Sequence, residues 1–407
     1  MPPSYNSAAR VRHNERPMQP TGSLPPPSTS PARLDAIARA RQAVLHERGA
    51  AAGGLVSPWI ERSWQRCLAI GHDPRQPVGF DPVSAAQSLR TRESNRVLTE
   101  AARPVLQELG RALADTRYFA ILTNAQGIVV DVNGPIDRSD RRADLITRIG
   151  VDLSEQCVGT TAIGAALTEL QPVWLHRGEH FFNDTASYSC AGAPLFGPGG
   201  ACVGMLDLTG VDTPERPELK HLVVQSARSI ENSLALRRHH ALLLRLNWPG
   251  HRLGEDNDGL VGLDRDGYVT TSNSAARLML PQLASLAASG GARSHASELF
   301  ALPIDLLFDG AQDPGTLLDL PLWSGLRMQA MVAPAGASRQ AAQTWDSMAQ
   351  AAPAPAPAQV DPRRLRDIET ALIRKAVDDA RGNVTQAAQQ LGVSRSTVYR
   401  KLGLPRG

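Results

Sequence analysis

Apolar and polar positions follow three different rhythms along this chain. Around residue 60 the rhythm is helical: Ile60, Trp64, Cys67 and Leu68 fall at i, i+4, i+7 and i+8. Ser57-Pro58 opens that helix and Gly71 stops it, and a second helix is expected from about Glu93 to Asp115. From Tyr118 the spacing shortens. YFAILT and GIVVDV are strand-like runs joined by Asn-Ala-Gln-Gly, which predicts a hairpin. GTTAIGAALTEL (Gly159–Leu170) returns to helical spacing with Ile163 and Leu167 on one face, and PVWLH and CVGMLDLTG read as further strands. The run ERPELKHLVVQSARSIENSLALRRHHALLLRLN predicts one long helix reaching residue 247. Val223, Ala227, Ile230, Leu234, Arg237, Ala241 and Leu244 advance along it by fours and threes, a seam suited to pairing with a second copy of the chain.

Strands bracketed by helices predict an α+β domain over 105–236, preceded by a helical region at 33–104. A third block, 252–334, opens GLVGLDRDGYVTTSNSAARLML. Its Asp-Arg-Asp-Gly turn joins two short strands, Asn273 caps the helix after them, and PLWSGLRMQAMV predicts a later hairpin. Two segments lack any rhythm. Residues 1–32 hold eight prolines among small polar residues and are expected to be disordered. Residues 335–360 collapse to Ala, Pro, Gln and Ser, including PAPAPA, and predict an extended spacer.

The last segment, 361–407, is an all-α unit. Leu365, Ile368, Leu372, Ile373, Ala376 and Val377 form one apolar stripe, and Asn383 with Gln386 makes an Asn-headed capping box. Ala387, Ala388 and Leu391 let a second helix pack closely, and Gly392 allows a sharp turn. Ser394 caps the third helix. Val398 and Leu402 face inward, so Arg395, Ser396, Tyr399 and Arg400 point outward with Thr397 and Lys401 on the flanks.

Charge sharpens this picture. The chain is 407 residues long with a net charge of only +3, yet 361–407 carries ten Lys/Arg against five Asp/Glu, and no acid follows Asp379. A basic, carboxylate-free helix suits the major groove of double-stranded DNA: arginine grips guanine through two hydrogen bonds, while hydroxyls and lysine hold phosphates. No apolar run is long enough to span a membrane and the N-terminus has no secretory core, so a cytoplasmic protein is expected. Cys67, Cys157, Cys190 and Cys202 are too scattered for a disulfide framework.

Residues 365–404 resemble the Fis-type helix-turn-helix at the C-terminus of bacterial enhancer-binding regulators. That resemblance makes Ser394–Leu402 the recognition helix, Arg395 and Tyr399 its base readers, and Ser394, Thr397, Arg400 and Lys401 its backbone contacts. It also implies a homodimer on a two-fold site. Tyr399 stands where Fis has an arginine, which implies a different sequence preference. SWQRC, GTTAIGAAL, PVWLHRGEHFF and SYSCAGAPLFGPGGACVGMLDLTG resemble the N-terminal part of acetoin- and glycerol-metabolism regulators, where this stretch is a GAF domain; 252–334 resembles the PAS-like segment after it. The implied fold is therefore an α+β multidomain chain: a GAF-like antiparallel sheet with helices, a PAS-like segment and an all-α helix-turn-helix. Those regulators carry an ATPase that remodels sigma-54 polymerase. Here no GxxxxGK[ST] phosphate loop occurs, and the Ala/Pro spacer stands in its place.

The expected function is a ligand-responsive transcriptional regulator with no enzymatic activity and no cofactor. Its partners would be DNA, a small effector in the GAF domain and RNA polymerase holoenzyme. Trp174, Glu179, His180 and Phe181 are the candidate effector residues. His176, Glu179, His180 and Cys190 could ligate a metal only if they converged, and the strand reading of PVWLH argues against it. Two other readings remain: a heterodimerising partner of a full-length sigma-54 activator, and a GAF-type methionine sulfoxide reductase using Cys157, Cys190 or Cys202.

Overall fold

The computed structural model describes residues 31–47, 52–80, 82–283, 293–312 and 315–334, together with Val384 and Val398. The chain divides into two compact units, 1–341 and 342–407.

The first unit begins with helices α1 (Pro31–Arg41), α2 (Pro58–Ala69), α3 (Ala85–Ser94) and α4 (Arg96–Ala112). Helix α1 thus starts inside the stretch expected to be disordered; residues 1–30 lie outside the described residues. Five strands follow: β1 (Tyr118–Asn124), β2 (Val129–Asn133), β3 (Val173–His176), β4 (Tyr188–Phe196) and β5 (Cys202–Val211). They form an antiparallel sheet in the order β2-β1-β5-β4-β3, so β5 lies at its centre. This is the GAF-like sheet with helices that was expected. The Asn124–Gly127 turn forms because Asn124 Oδ1 accepts the N–H groups of Gln126 and Ile128, while Gly127 takes φ +82°.

Both faces of the sheet are covered. Between β2 and β3 come α5 (Arg141–Ile146), α6 (Glu155–Val158) and α7 (Ala162–Glu169). These helices bury Ile146, Val158 and Ile163 against Phe119, Ile121 and Met205 on one face. The other face is covered by α4 and by α8 (Leu219–Leu236), whose Val223, Ala227, Ile230 and Leu234 pack on Leu195, Leu206 and Leu208. Outside both faces, α1 and α2 build a separate apolar layer with Phe181 and Phe182.

Helix α8 stops at Leu236, which corrects the long helix expected to reach 247. Leu242–Asn247 is instead a strand, β6, with all six residues buried. Three consecutive leucines suit a strand covered on both faces, and the polar run Arg237–His240 breaks the helical stripe just before it. The heptad-like seam is therefore two things. Its first half is the stripe that holds α8 to its own sheet, and its second half belongs to the next sheet.

That second sheet comprises β6, β7 (Gly259–Leu263), β8 (Val269–Ser272), β9 (Leu317–Pro321) and β10 (Arg327–Pro334), ordered β8-β7-β6-β10-β9. Both predicted hairpins are present, and the PAS-like block gains a central strand from residues placed outside it. Helix α9 (Ser274–Met279) starts at Asn273, whose Oδ1 accepts from Ala276 N at 2.8 Å. The same amide donates to Asn232 Oδ1 of α8 at 2.7 Å and to the Asp258 carbonyl at 2.8 Å. One fully bonded asparagine so ties the first sheet's helix to the second sheet. Among the described residues no helix is long and apolar enough to cross a membrane.

In the second unit, Val384 and Val398 are helical, and Val398 is fully buried, as an inward-facing position requires. Ser394, Arg395, Ser396, Thr397, Tyr399, Arg400 and Lys401 lie outside the described residues, as does the 335–360 spacer.

Candidate functional site: a small cavity beneath the first sheet

Strand alternation decides which side chains reach the space beneath α7. On β5, Met205, Asp207, Thr209 and Val211 face the α5–α7 side, whereas Leu206 and Leu208 face α8. Asp207 is opposite Ile121 of β1 and Gly192 of β4, and Thr209 is opposite Cys190. Gly192 matters sterically: a Cβ there would sit 3.1 Å from the Ala162 carbonyl oxygen, so its absence lets α7 approach the sheet. Between them lies a cavity of about 40 Å³, walled by apolar groups such as Phe80, Ile121, Leu153 and Ile163. Its polar wall includes His180, Tyr188, Cys190, Asp207 and Thr209.

The polar wall is an ordered set of hydrogen bonds. His180 Nδ1 donates to the Arg177 carbonyl at 2.9 Å, which leaves Nε2 as an acceptor 3.5 Å from Cys190 Sγ. Burial lowers His180 to about 4, so its ring is neutral at physiological pH. The Cys190 thiol, also 3.3 Å from Thr209 Oγ1, is pushed well above the ordinary thiol range by burial. Thr209 Oγ1 donates to Asp207 Oδ2. Asp207 itself is 1% exposed, and burial lifts its carboxyl to about 7. Its other oxygen, Oδ1, is buried without a hydrogen-bond partner.

The sign of that shift gives a first prediction. The unfolded chain releases the Asp207 proton near 3.8, whereas the folded chain holds it to about 7. This favours the fold below pH 4, and the benefit is lost as pH rises through 7. Asp207→Asn removes the penalty, so the variant should be more stable than the parent at pH 8 by about 2–4 kcal/mol, with the gap closing by pH 4. Urea denaturation at both pH values checks it; a gap independent of pH would rule out the buried carboxyl as its source.

Of the four candidate effector residues, the structure brings only His180 to this cavity. Trp174 lies on the opposite face of the sheet, beside the α4/α8 core, with its indole N–H 3.4 Å from Glu215. The period of two in β3 sends it there, while Val173 and Leu175 face α7. Glu179 is fastened outward: Arg33 of α1 reaches its carboxylate at 3.0 Å, and its Oε2 accepts from His176 N at 2.7 Å. Burial outweighs that ion pair and raises Glu179 to about 7. Phe181 is fully buried in the α1/α2 layer. The missed residues were Asp207, Thr209 and Tyr188. A signal existed for the first: Asp207 is the one acid in CVGMLDLTG. His176 hydrogen-bonds Ser189 at 2.8 Å, and no three His, Cys, Asp or Glu side chains converge as a metal site among the described residues.

Residues 32–232 match the family described as MimR, N-terminal domain, and residues 364–403 match the family described as Bacterial regulatory protein, Fis family. The chain is 33% identical over 233 residues to the acetoin catabolism regulatory protein of Cupriavidus necator, covering 54% of this chain and 34% of that protein. It is 30% identical over 199 residues to MimR, the propane 2-monooxygenase operon transcriptional activator of Mycolicibacterium goodii, covering 48% and 33%. The chain thus spans about a third of the length of these curated relatives. Among solved structures, the E. coli DhaR(N)-DhaL complex aligns with a TM-score of 0.41 and 16% identity, covering 68% of this chain and all of that one.

Proposed function

We propose that this chain is a cytoplasmic, homodimeric transcription regulator whose DNA affinity is set by a small molecule in the cavity under α7. Sequence-specific reading falls to Ser394–Leu402, with Arg395 and Tyr399 on base edges and Ser394, Ser396, Thr397, Arg400 and Lys401 along the flanking backbone. RNA polymerase holoenzyme would be its downstream partner. The observation that carries this reading is the pairing of a Fis-family match at 364–403 with a small cavity inside the stretch that matches the MimR N-terminal domain. No phosphate loop occurs in the sequence, which supports regulation by DNA binding without ATP hydrolysis. Burial holds the Cys190 thiol protonated, which speaks against that one residue as a reductase nucleophile.

Linkage requires the ligand to bind the DNA-competent and incompetent states unequally. Helix α8 supplies a route, since it packs on β4 and meets the second sheet through Asn232 and Asn273. Filling the cavity should therefore mimic the ligand. Ile163→Phe is expected to change the chain's affinity for its own upstream DNA at least threefold, measured by fluorescence anisotropy. No duplex binding by the parent would refute the regulator; binding that ignores Ile163→Phe would refute the coupling.

A further inference from the structure

We propose that the cleft between the two sheets of the first unit is a second ligand site, which takes an organic oxyanion: a carboxylate or phosphate ester on an apolar body. It goes beyond the sensor reading above and does not rest on it.

Four basic residues, Arg237-Arg238-His239-His240, join α8 to β6. The outer two are committed. Arg237 donates to the Glu100 carbonyl at 3.1 Å and lies 3.4 Å from its carboxylate. His240 is buried against Gly262, where an added Cβ would come within 3.1 Å of its own, and its Nδ1 lies 2.8 Å from the Arg238 carbonyl. Anchoring His240 inward leaves Arg238 and His239 exposed. Among the described residues, the Arg238 guanidinium and the His239 imidazole form no hydrogen bond or ion pair. Both line a cleft of about 570 Å³ whose walls come from both sheets: Pro198 of the β4–β5 turn on one side, β8 with Arg293 and Ser294 on the other. Ser272 N donates to the Pro198 carbonyl at 3.0 Å and so joins the two walls.

Charge and size narrow the ligand. No Asp or Glu is among the described residues of the wall. Arg293 adds a third guanidinium, held by Asp264 at 2.9 Å over the Tyr268 ring. A cleft lined by one sign of charge concentrates counter-ions. A guanidinium offers paired N–H donors that match two oxygens of a carboxylate or phosphate, and the imidazole adds another. Pro198, Val269 and Leu283 supply apolar surface, and the volume falls in the range of roughly 300–1,000 Å³ typical of small-molecule sites. The ligand is therefore larger than an inorganic ion, and far too large for the 40 Å³ cavity under α7. Because the walls belong to both sheets, occupancy favours the arrangement in which they stay joined.

Four probes titrated into the full chain by calorimetry at low salt separate these requirements: benzoate, phenyl phosphate, inorganic phosphate and benzamide. Benzoate or phenyl phosphate is expected to bind saturably, at least tenfold more tightly than inorganic phosphate, which lacks the body, and benzamide, which lacks the charge. The tighter of the two identifies the head group. An Arg238→Gln/His239→Gln double variant should lose at least tenfold of that affinity, whereas Arg111→Gln, at an exposed arginine on α4, should change it less than twofold. No saturable binding of either organic anion, equal binding of benzamide, equal binding of inorganic phosphate (an adventitious ion only), or undiminished binding by the double variant would each overturn the proposal. None of these touches the Ile163→Phe response of DNA affinity, so the sensor reading stands or falls separately.

Discussion

Trp64→Ala is expected to destabilise the first unit by about 3–5 kcal/mol, more than any other single truncation in the helical layer. Trp64 is fully buried among Ile37, Ala40, Val44 and Phe181, so its removal leaves a large apolar void. Its indole N–H also donates to the Glu179 carbonyl at 2.9 Å, and Arg41 lies 5.9 Å above its ring. Arg41 in turn donates to the carbonyls of Gly178, His180 and Phe181, which fixes the loop that places His180 in the cavity wall. Trp64→Phe keeps most of the packing and loses the hydrogen bond, so it should cost about 1–2 kcal/mol. Urea denaturation of the full chain measures both. A Trp64→Ala loss below about 1 kcal/mol would mean that α1 and α2 are not part of the sensor's core.

The second large effect concerns DNA. Replacing Arg395 by alanine should weaken specific binding by about 1–3 kcal/mol, which is roughly 5- to 150-fold, because a paired contact to guanine is lost. Adding Tyr399→Ala should bring specific affinity close to the nonspecific level. Arg400→Ala or Lys401→Ala should act differently: similar weakening on every sequence, with the salt slope reduced by about one. Anisotropy titrations between 50 and 200 mM salt separate the two patterns. If the Arg395 variant lost affinity equally on specific and random duplexes, its assignment as a base reader would fail.

How legible this molecule was depends on how local each feature is. The hairpins at Asn124–Gly127 and Asp264–Gly267 were readable because turn chemistry is written in adjacent residues; Asp264 Oδ1 accepts from Asp266 and Tyr268 N–H groups, and Gly267 takes φ +85°. The Ile60–Trp64–Cys67 stripe was readable for the same reason, and all three side chains are buried. Strand β6 was not. LLLRLN suits a buried helix or a buried strand equally, and only pairing with β7 and with β10, about eighty residues on, settles the matter.

The site obeys the same logic. His180, which sits in a dense polar and aromatic motif, does line the cavity, but its neighbours there come from three other segments. Asp207 and Thr209 arrive on β5, Cys190 and Tyr188 on β4, and Ile163 on α7. Trp174 lies away from this cavity. It adjoins the site in sequence, yet one step along a strand reverses the face, and it ends up on the far side of the sheet.

The most direct measurement is selection by the full chain from a pool of random duplexes. The account predicts enrichment of one two-fold-symmetric sequence with half-sites about a helical turn apart, lost in the Arg395→Ala/Tyr399→Ala double variant. A pool that stays random, or one that the double variant enriches equally well, would contradict it.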